Sequence, residues 1–287
     1  LADLPFAETL TLNAAARFGD YSNIGNTETF KADMVWAPVS DLRFRGGVSK
    51  AVRAPNIAEL FTPLQTSGFR PIDPCSAENI TQGTSYREAN CRADLARYGV
   101  TVGSTYDFAD PLTAQFFGAS GGNPDLQAET SDSWTAGLVV QPRFLSGFTL
   151  TADYWNIKIE NAIASVSAQD IVNSCYDAPD INNQYCALIS RDDRPGSLTQ
   201  GGLDYLQQSS VNFAGLEASG VDFDVRYRLD MDMFGKPEWG SLALGVGGTW
   251  LEDRNDYPFV ADASLANPVK EQLNSPEWVL NTSVLVV

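Results

Sequence analysis

The chain has 287 residues, with 36 acidic and 19 basic side chains, a net charge of −17, and no histidine. That charge argues against a nucleic-acid partner, because a phosphate backbone needs a basic stripe. Without histidine there is no Ser-His-Asp relay, and most zinc, iron and haem sites are lost with it.

In chain order, strands are expected over Glu8–Phe18, Thr29–Ala37, Leu42–Lys50, Ser131–Pro142, Gly147–Ile159, Gly215–Leu229, Ser241–Leu251 and Glu277–Val287. Trp134, Ala136, Leu138 and Val140 fall on one face, Ser133, Thr135 and Gly137 on the other. In the sixth strand Val221, Phe223, Val225, Tyr227 and Leu229 alternate with Asp222, Asp224, Arg226 and Arg228. Leu42, Phe44 and Val48 likewise oppose Arg43, Arg45 and Ser49. Such a period of two is sustained for about ten residues per strand, roughly what a tilted strand needs to cross a bilayer. Soluble strands typically run about 5–6 residues. By period alone, a half-buried soluble strand looks the same.

Connection lengths separate the two cases. Pro38–Asp41, Arg143–Ser146 and Asp230–Gly240 are brief, whereas Ala51–Thr130, Glu160–Ala214 and Glu252–Pro276 are long. An outer-membrane barrel alternates short periplasmic turns with long extracellular loops, and a sandwich has no reason to. Aromatics gather at strand ends: Trp36, Phe148 and Tyr227 toward the short turns, Phe18, Trp134, Tyr154, Trp250 and Trp278 toward the long loops. Two such bands match interfacial girdles. The fold class expected is all-β, a transmembrane antiparallel barrel segment. No apolar run approaches the roughly 18 residues of a membrane helix. No basic-then-apolar leader opens the chain, Leu1 is not an initiator, and SVLVV stops in mid-strand, so the chain reads as an internal segment.

Cys75 and Cys91 share one polar loop, Cys175 and Cys186 another, with no C-x-x-C spacing. Two local disulfides formed in an oxidising compartment are expected; four buried free thiols are the alternative. Closing a loop of about 15 residues stabilises by roughly 3 kcal/mol in the chain-entropy model.

Gly118-Ala-Ser-Gly-Gly122 satisfies the G-x-S-x-G nucleophile pattern, but in a loop and without histidine it points to no enzyme. Asp192 and Asp193, flanked by Arg191 and Arg194, suit a cation or a sugar; a solvated loop tip is the commoner use of such a run. Asn79 and Asn281 open glycosylation sequons that carry no weight in a bacterial outer-membrane protein. Loop aromatics are the better lead. Tyr106, Phe108, Phe116 and Phe117 lie beside Asp107 and Asp110, with Tyr205 in the second long loop and Tyr257 and Phe259 in the third. Packing of loop on loop explains them most simply; where they meet a ligand, rings beside carboxylates suit sugars, aryl groups or peptides. Arg43, Arg45, Asp222, Asp224, Arg226 and Arg228 are expected to face a lumen and pair there.

Asn123–Pro142 (NPDLQAETSDSWTAGLVVQP), Ala152–Ile163 (ADYWNIKIENAI) and Leu42–Phe61 (LRFRGGVSKAVRAPNIAELF) together resemble the barrel of TonB-dependent outer-membrane receptors. Arg53-Ala54-Pro55 with Glu59-Leu60-Phe61 matches that family's passage from strand into a long outer loop. The resemblance implies a barrel of about 22 strands, closed by an N-terminal plug and set in outer-membrane lipid. It also implies a scarce nutrient bound outside and imported with energy delivered through TonB. Residues 1–287 then form one partial barrel domain of about eight strands from the later half, without plug, TonB motif or terminal aromatic strand. The cysteine-bearing loops resemble a proteobacterial subgroup tied to carbohydrate or other non-iron uptake. No cofactor or metal is implied. An acidic surface disfavours an anionic ferric siderophore, unless Arg87, Arg92 and Arg97 reverse that locally. A siderophore-iron receptor of the same family, a passive small porin and a soluble glycan-binding sandwich are the alternatives.

Overall fold

The structure, a computed structural model, describes residues 2–4, 6–112, 114–236, 239–257 and 266–286. Its strands are β1 (Ala2–Leu4), β2 (Ala7–Tyr21), β3 (Gly25–Val39), β4 (Leu42–Arg53), β5 (Gln65–Phe69), β6 (Phe116–Gly121), β7 (Glu129–Val140), β8 (Phe148–Ser165), β9 (Ile189–Arg191), β10 (Leu203–Asp230), β11 (Ser241–Tyr257), β12 (Asn267–Pro268) and β13 (Trp278–Val286). Three helices, α1 (Ile57–Phe61), α2 (Arg87–Arg97) and α3 (Ala168–Asp177), lie in the long loops.

Eight strands form one antiparallel wall in the order β2-β3-β4-β7-β8-β10-β11-β13, with β1 along β2 and β12 along the far end of β11. Every strand expected from the sequence is present, and most run longer. β10 is the extreme, with 28 residues starting at Leu203 rather than Gly215. Its second half pairs with β8 and β11 in the wall, while its first residues pair with β6 and β9 beyond the rim. Tyr257, expected in a loop, ends β11 and donates from its hydroxyl to Glu217 at 3.1 Å. Phe259 and Val287 lie outside the described residues.

Cross-strand partners share a face, so the register reads off two surfaces. One row across the wall is Leu10, Trp36, Phe44, Leu138, Ala152, Phe223, Gly248 and Leu280, apolar throughout. The next is Thr11, Val35, Arg45, Gly137, Asp153, Asp222, Thr249 and Val279. Among the described residues no second sheet covers the apolar face, and Leu12, Phe18, Leu280 and Val284 stand exposed on it. That overturns the sandwich alternative. Aromatic pairs band both ends. Trp36–Phe44 (5.5 Å) and Phe148–Tyr227 (6.3 Å) lie by the short turns; Trp134–Tyr154 (5.0 Å) and Trp250–Trp278 (6.1 Å) lie by the long loops.

The polar face pairs its own charges. Arg226 meets Asp224 at 2.8 Å, Asp222 accepts from Thr249 at 2.6 Å, and Arg45 reaches across β7 to Asp153. Gly137 on β7 makes that reach possible, since a Cβ there would collide with the Asp153 carboxylate. At the inner rim, Asp41 in the turn after β3 accepts from Arg143 at 2.7 Å, tying two neighbouring turns together.

A single-layer wall with one apolar and one polar face has no interior of its own. The main apolar core lies instead in the long loops, which fold into a cap over the rim. Phe69, Cys75, Cys91, Leu95, Ile171, Cys175, Tyr176, Leu203 and Leu206 belong to it.

Candidate functional site

The passage from wall to cap is fixed by the stretch Arg53–Phe61. Asn56 caps α1 reciprocally with Glu59, its side chain accepting from the Glu59 N–H at 2.9 Å and its own N–H donating to that carboxylate at 2.7 Å. Two orphan donors are thereby satisfied in one motif. Arg53 then bridges Glu59 (3.1 Å) and Glu129 (2.5 Å), joining the loop's departure on β4 to its return on β7. Gly118 belongs to β6, not to a catalytic elbow: a Cβ there would collide with the Leu206 carbonyl, so glycine allows β6 to lie against β10.

Both helices that bear cysteine bury it. On α2, Cys91 and Leu95 are four apart and face inward, with Glu88 and Arg92 paired outside at 2.8 Å. On α3, Ser167 caps the first turn and Ile171, Val172, Cys175 and Tyr176 face inward. Cys75–Cys91 and Cys175–Cys186 are both bonded. Each disulfide clips its own loop.

The first and second long loops are joined by a buried charge cluster. Arg191 has no exposed side-chain surface. Its guanidinium donates to both oxygens of Asp73 (2.7 and 2.9 Å), to Asp94 (3.2 Å), to the Tyr176 hydroxyl (2.9 Å) and to the Gly201 carbonyl (2.8 Å). Tyr176 donates in turn to Asp94 at 2.7 Å, and the rings of Tyr176 and Phe108 lie against the guanidinium. Burial opposes the Arg191 charge, but Tyr176 and the carboxylates of Asp73 and Asp94 together more than offset it, and its pKa stays well above the ordinary value. Asp73 and Asp94 carry no sequence signal for this, because they lie 82 to 118 residues from the groups they pair with.

The residues singled out in the sequence divide by exposure. Phe108 and Phe116 are core, and Tyr106 donates to the Cys75 carbonyl at 2.8 Å beneath the Arg92 guanidinium. Asp192 is no solvated tip. Its carboxylate is buried and accepts from Arg194, Ser197 and Thr199, and Arg194 above all holds its pKa well below the usual range. Asp107 and Asp193 face solvent. Phe117 (69% exposed) and Tyr205 (39%) both face solvent, each two residues from the paired Ala119 and Gln207, on one side of the small β6–β10 sheet.

Beside the cluster, the cap contains a cleft of about 430 Å³ lined by Arg70–Asp73, Ser76–Asn79, Ala109, Asp110 and Leu112. Burial pushes the Asp110 carboxyl up to about 6, against the pull of the Leu112 N–H that it accepts at 2.7 Å. A raised carboxyl means the folded cap holds a proton the unfolded chain has lost, so stability falls as pH rises from about 4 through 6. Asp110→Asn keeps the acceptor oxygen. It is expected to stabilise the cap by about 1 kcal/mol at pH 7, after allowance for partial exposure, and by nothing at pH 4. Amide exchange of the cap at the two pH values checks this; an equal gain at both refutes it.

A wall with one exposed apolar face, aromatic bands at both ends, short turns on one rim and a cystine-clipped cap on the other defines an outer-membrane β-barrel receptor. Over residues 1–285 the chain matches the family described as TonB dependent receptor-like, beta-barrel, and it belongs to that family. Its place is the bacterial outer membrane. The family consists of receptors and transporters rather than enzymes.

Among solved structures, the fold is similar to that of the ferric enterobactin receptor of Pseudomonas aeruginosa. A mutant in complex with enterobactin aligns with a TM-score of 0.51 at 14% identity, over 96% of this chain and 28% of that one. A second mutant of the same receptor aligns with 0.50 at 14% identity, over the same shares. The siderophore receptor PirA of Acinetobacter baumannii aligns with 0.47 at 13% identity, over 87% of this chain and 27% of that one. At such identities the likeness is one of fold alone. The chain thus spans just over a quarter of the length of these receptors. No curated protein matches it in sequence.

Proposed function

We propose that this chain is part of the wall and outer cap of an active importer, in which a scarce solute is caught at the cap and carried inward with energy delivered through TonB. The observation that carries the reading is a cystine-clipped cap built on one rim of a wall with one exposed apolar face and one charged face. Residues 1–287 form one partial barrel domain. Among the described residues the outer edges of β2 and β13 are not paired with each other, and a bilayer does not tolerate open sheet edges. Further strands of the parent barrel cover those edges, and a plug faces the charged inner surface.

The solute is an oligosaccharide or another non-iron nutrient. Phe117 and Tyr205 favour it, because two solvent-facing rings on one side of the cap sheet offer stacking surfaces for polar rings. With Asp107 and Asp193 they form the contact set, while Tyr106, Phe108, Phe116, Arg191 and Asp192 hold the cap in shape. Ferric enterobactin binding by the structural neighbours motivates the siderophore alternative, which the acidic chain disfavours.

Uptake by cells carrying the complete receptor tests both parts. Labelled oligosaccharide should enter in a manner abolished by a proton uncoupler. Phe117→Ala with Tyr205→Ala should slow entry about tenfold. Entry of ferric siderophores alone would overturn the substrate, and uncoupler-insensitive entry would leave the porin alternative.

A further inference from the structure

The cap cleft beside the Arg191 cluster carries groups that the fold itself does not use. Its walls are firmly placed. Ala77 donates its N–H to the Phe108 carbonyl at 2.7 Å, Asp110 donates its N–H to the Ser76 hydroxyl at 3.1 Å, and Gln169 on α3 bonds both backbone groups of Ile72 (2.7 and 2.9 Å). Cys75–Cys91 and the Asp73–Arg191 pair hold the floor. Yet the side chains of Arg70 and Glu78, two exposed residues that line the cleft, make no hydrogen bond or ion pair among the described residues. Asp110 has no cation paired with it there, and the charge of Asp73 opposes its own while that of Arg191 favours it. One unpaired cation, one unpaired anion and one poorly compensated carboxyl thus belong to residues lining a cleft whose volume falls within the range of small-molecule sites. Ile72, 64% exposed, and the half-buried Leu112 add an apolar side.

We propose that this cleft binds a zwitterionic solute, a free amino acid or short peptide, with its ammonium held by Asp110 and Glu78, its carboxylate by Arg70, and its apolar part against Ile72 and Leu112. The chemistry is differential. A solute lacking its ammonium leaves the half-buried Asp110 carboxylate unpaired, which costs more than the lost attraction alone, whereas one lacking its carboxylate forfeits only the attraction of the exposed Arg70. Binding of an ammonium lowers the proton affinity of Asp110, so a proton leaves as the solute arrives near pH 6. The site needs only the cap, and it stands or falls independently of the import reading.

Calorimetric titration of the complete receptor in detergent with dialanine, N-acetyl-dialanine and dialanine amide tests it. Dialanine is expected to bind in the millimolar range or tighter, the N-acetyl form about tenfold more weakly and the amide roughly threefold more weakly. Glu78→Gln and Asp110→Asn should erase the penalty for N-acetylation, and Arg70→Gln that for amidation. These substitutions lie outside the Arg191 cluster, and cap exchange protection confirms that each variant is folded. Repeating the dialanine titration at pH 6 in buffers of different ionisation enthalpy should reveal the released proton. Equal binding of free and capped forms, or no binding of any in the millimolar range, overturns the proposal. An import reading that failed in the uptake assay would leave these titrations unchanged.

Discussion

Arg191→Ala is expected to unfold the cap while leaving the wall intact. The substitution strands Asp73 and Asp94 in a buried site with no counter-charge, and breaking a buried pair by removing one partner costs about 3–5 kcal/mol. It also removes donors from the Tyr176 hydroxyl and the Gly201 carbonyl, and a cation from between the rings of Phe108 and Tyr176. Because the cluster joins Asp73 and Asp94 of the first loop to Tyr176 and Arg191 of the second, both loops should lose protection together. Amide exchange over residues 70–112 and 168–206 should rise in concert, with the shift of the unheated barrel on a gel unchanged. Removing all three charges at once, as Arg191→Met with Asp73→Asn and Asp94→Asn, should recover part of the loss, since no uncompensated charge then remains. Retained protection in Arg191→Ala would show that the apolar core and the disulfides suffice to join the loops.

Val246→Arg against Asn281→Arg tests which face meets lipid. Val246 lies in mid-strand on β11 between Val225 and Thr282, in the same alternation as Leu244 and Trp250. An arginine on the lipid face near the bilayer midplane costs about 2–4 kcal/mol. Asn281 on β13 pairs with Gly247, which in turn pairs with Asp224, so its side chain shares the charged face and has room beside a glycine. There an arginine meets water and a carboxylate and should cost less than about 0.5 kcal/mol. Equilibrium unfolding of the complete barrel in lipid vesicles reads both. Equal costs would reverse or abolish the assignment of faces.

The residues of β10 show what local pattern can and cannot specify. Val221–Leu229 alternates strictly with Asp222–Arg228, and the wall strand there was legible from that period alone. Its first residues, Leu203–Ser209, carry no such alternation, because they pair with β9 and then β6 inside a packed cap rather than with the neighbouring wall strands. The stretch Arg53–Phe61 was legible only as a resemblance; its physical reason, a reciprocal cap joined by one arginine to the returning strand, needed Glu129 from 76 residues away. The aromatics near the long loops were read as a group, and the fold split them. Phe108 and Phe116 became core, and Phe117 and Tyr205 stayed in solvent. Alternation within a strand says which side a residue takes, but an irregular loop has no period from which a side could be inferred.

By itself, then, the sequence determined the eight wall strands, the alternation of their two faces and the contrast of short turns with long loops, and it favoured the two local cysteine pairs, all from spacing over a few to about fifteen residues. Tertiary structure alone decided that the long loops share one core, that Arg191 is enclosed rather than displayed, and that Arg70, Glu78 and Asp110 line a common cleft. The physical reason is range. Pleat and loop length act between near neighbours in the chain, whereas burial of Arg191 depends on carboxylates up to 118 residues away that only the folded cap brings within hydrogen-bond reach.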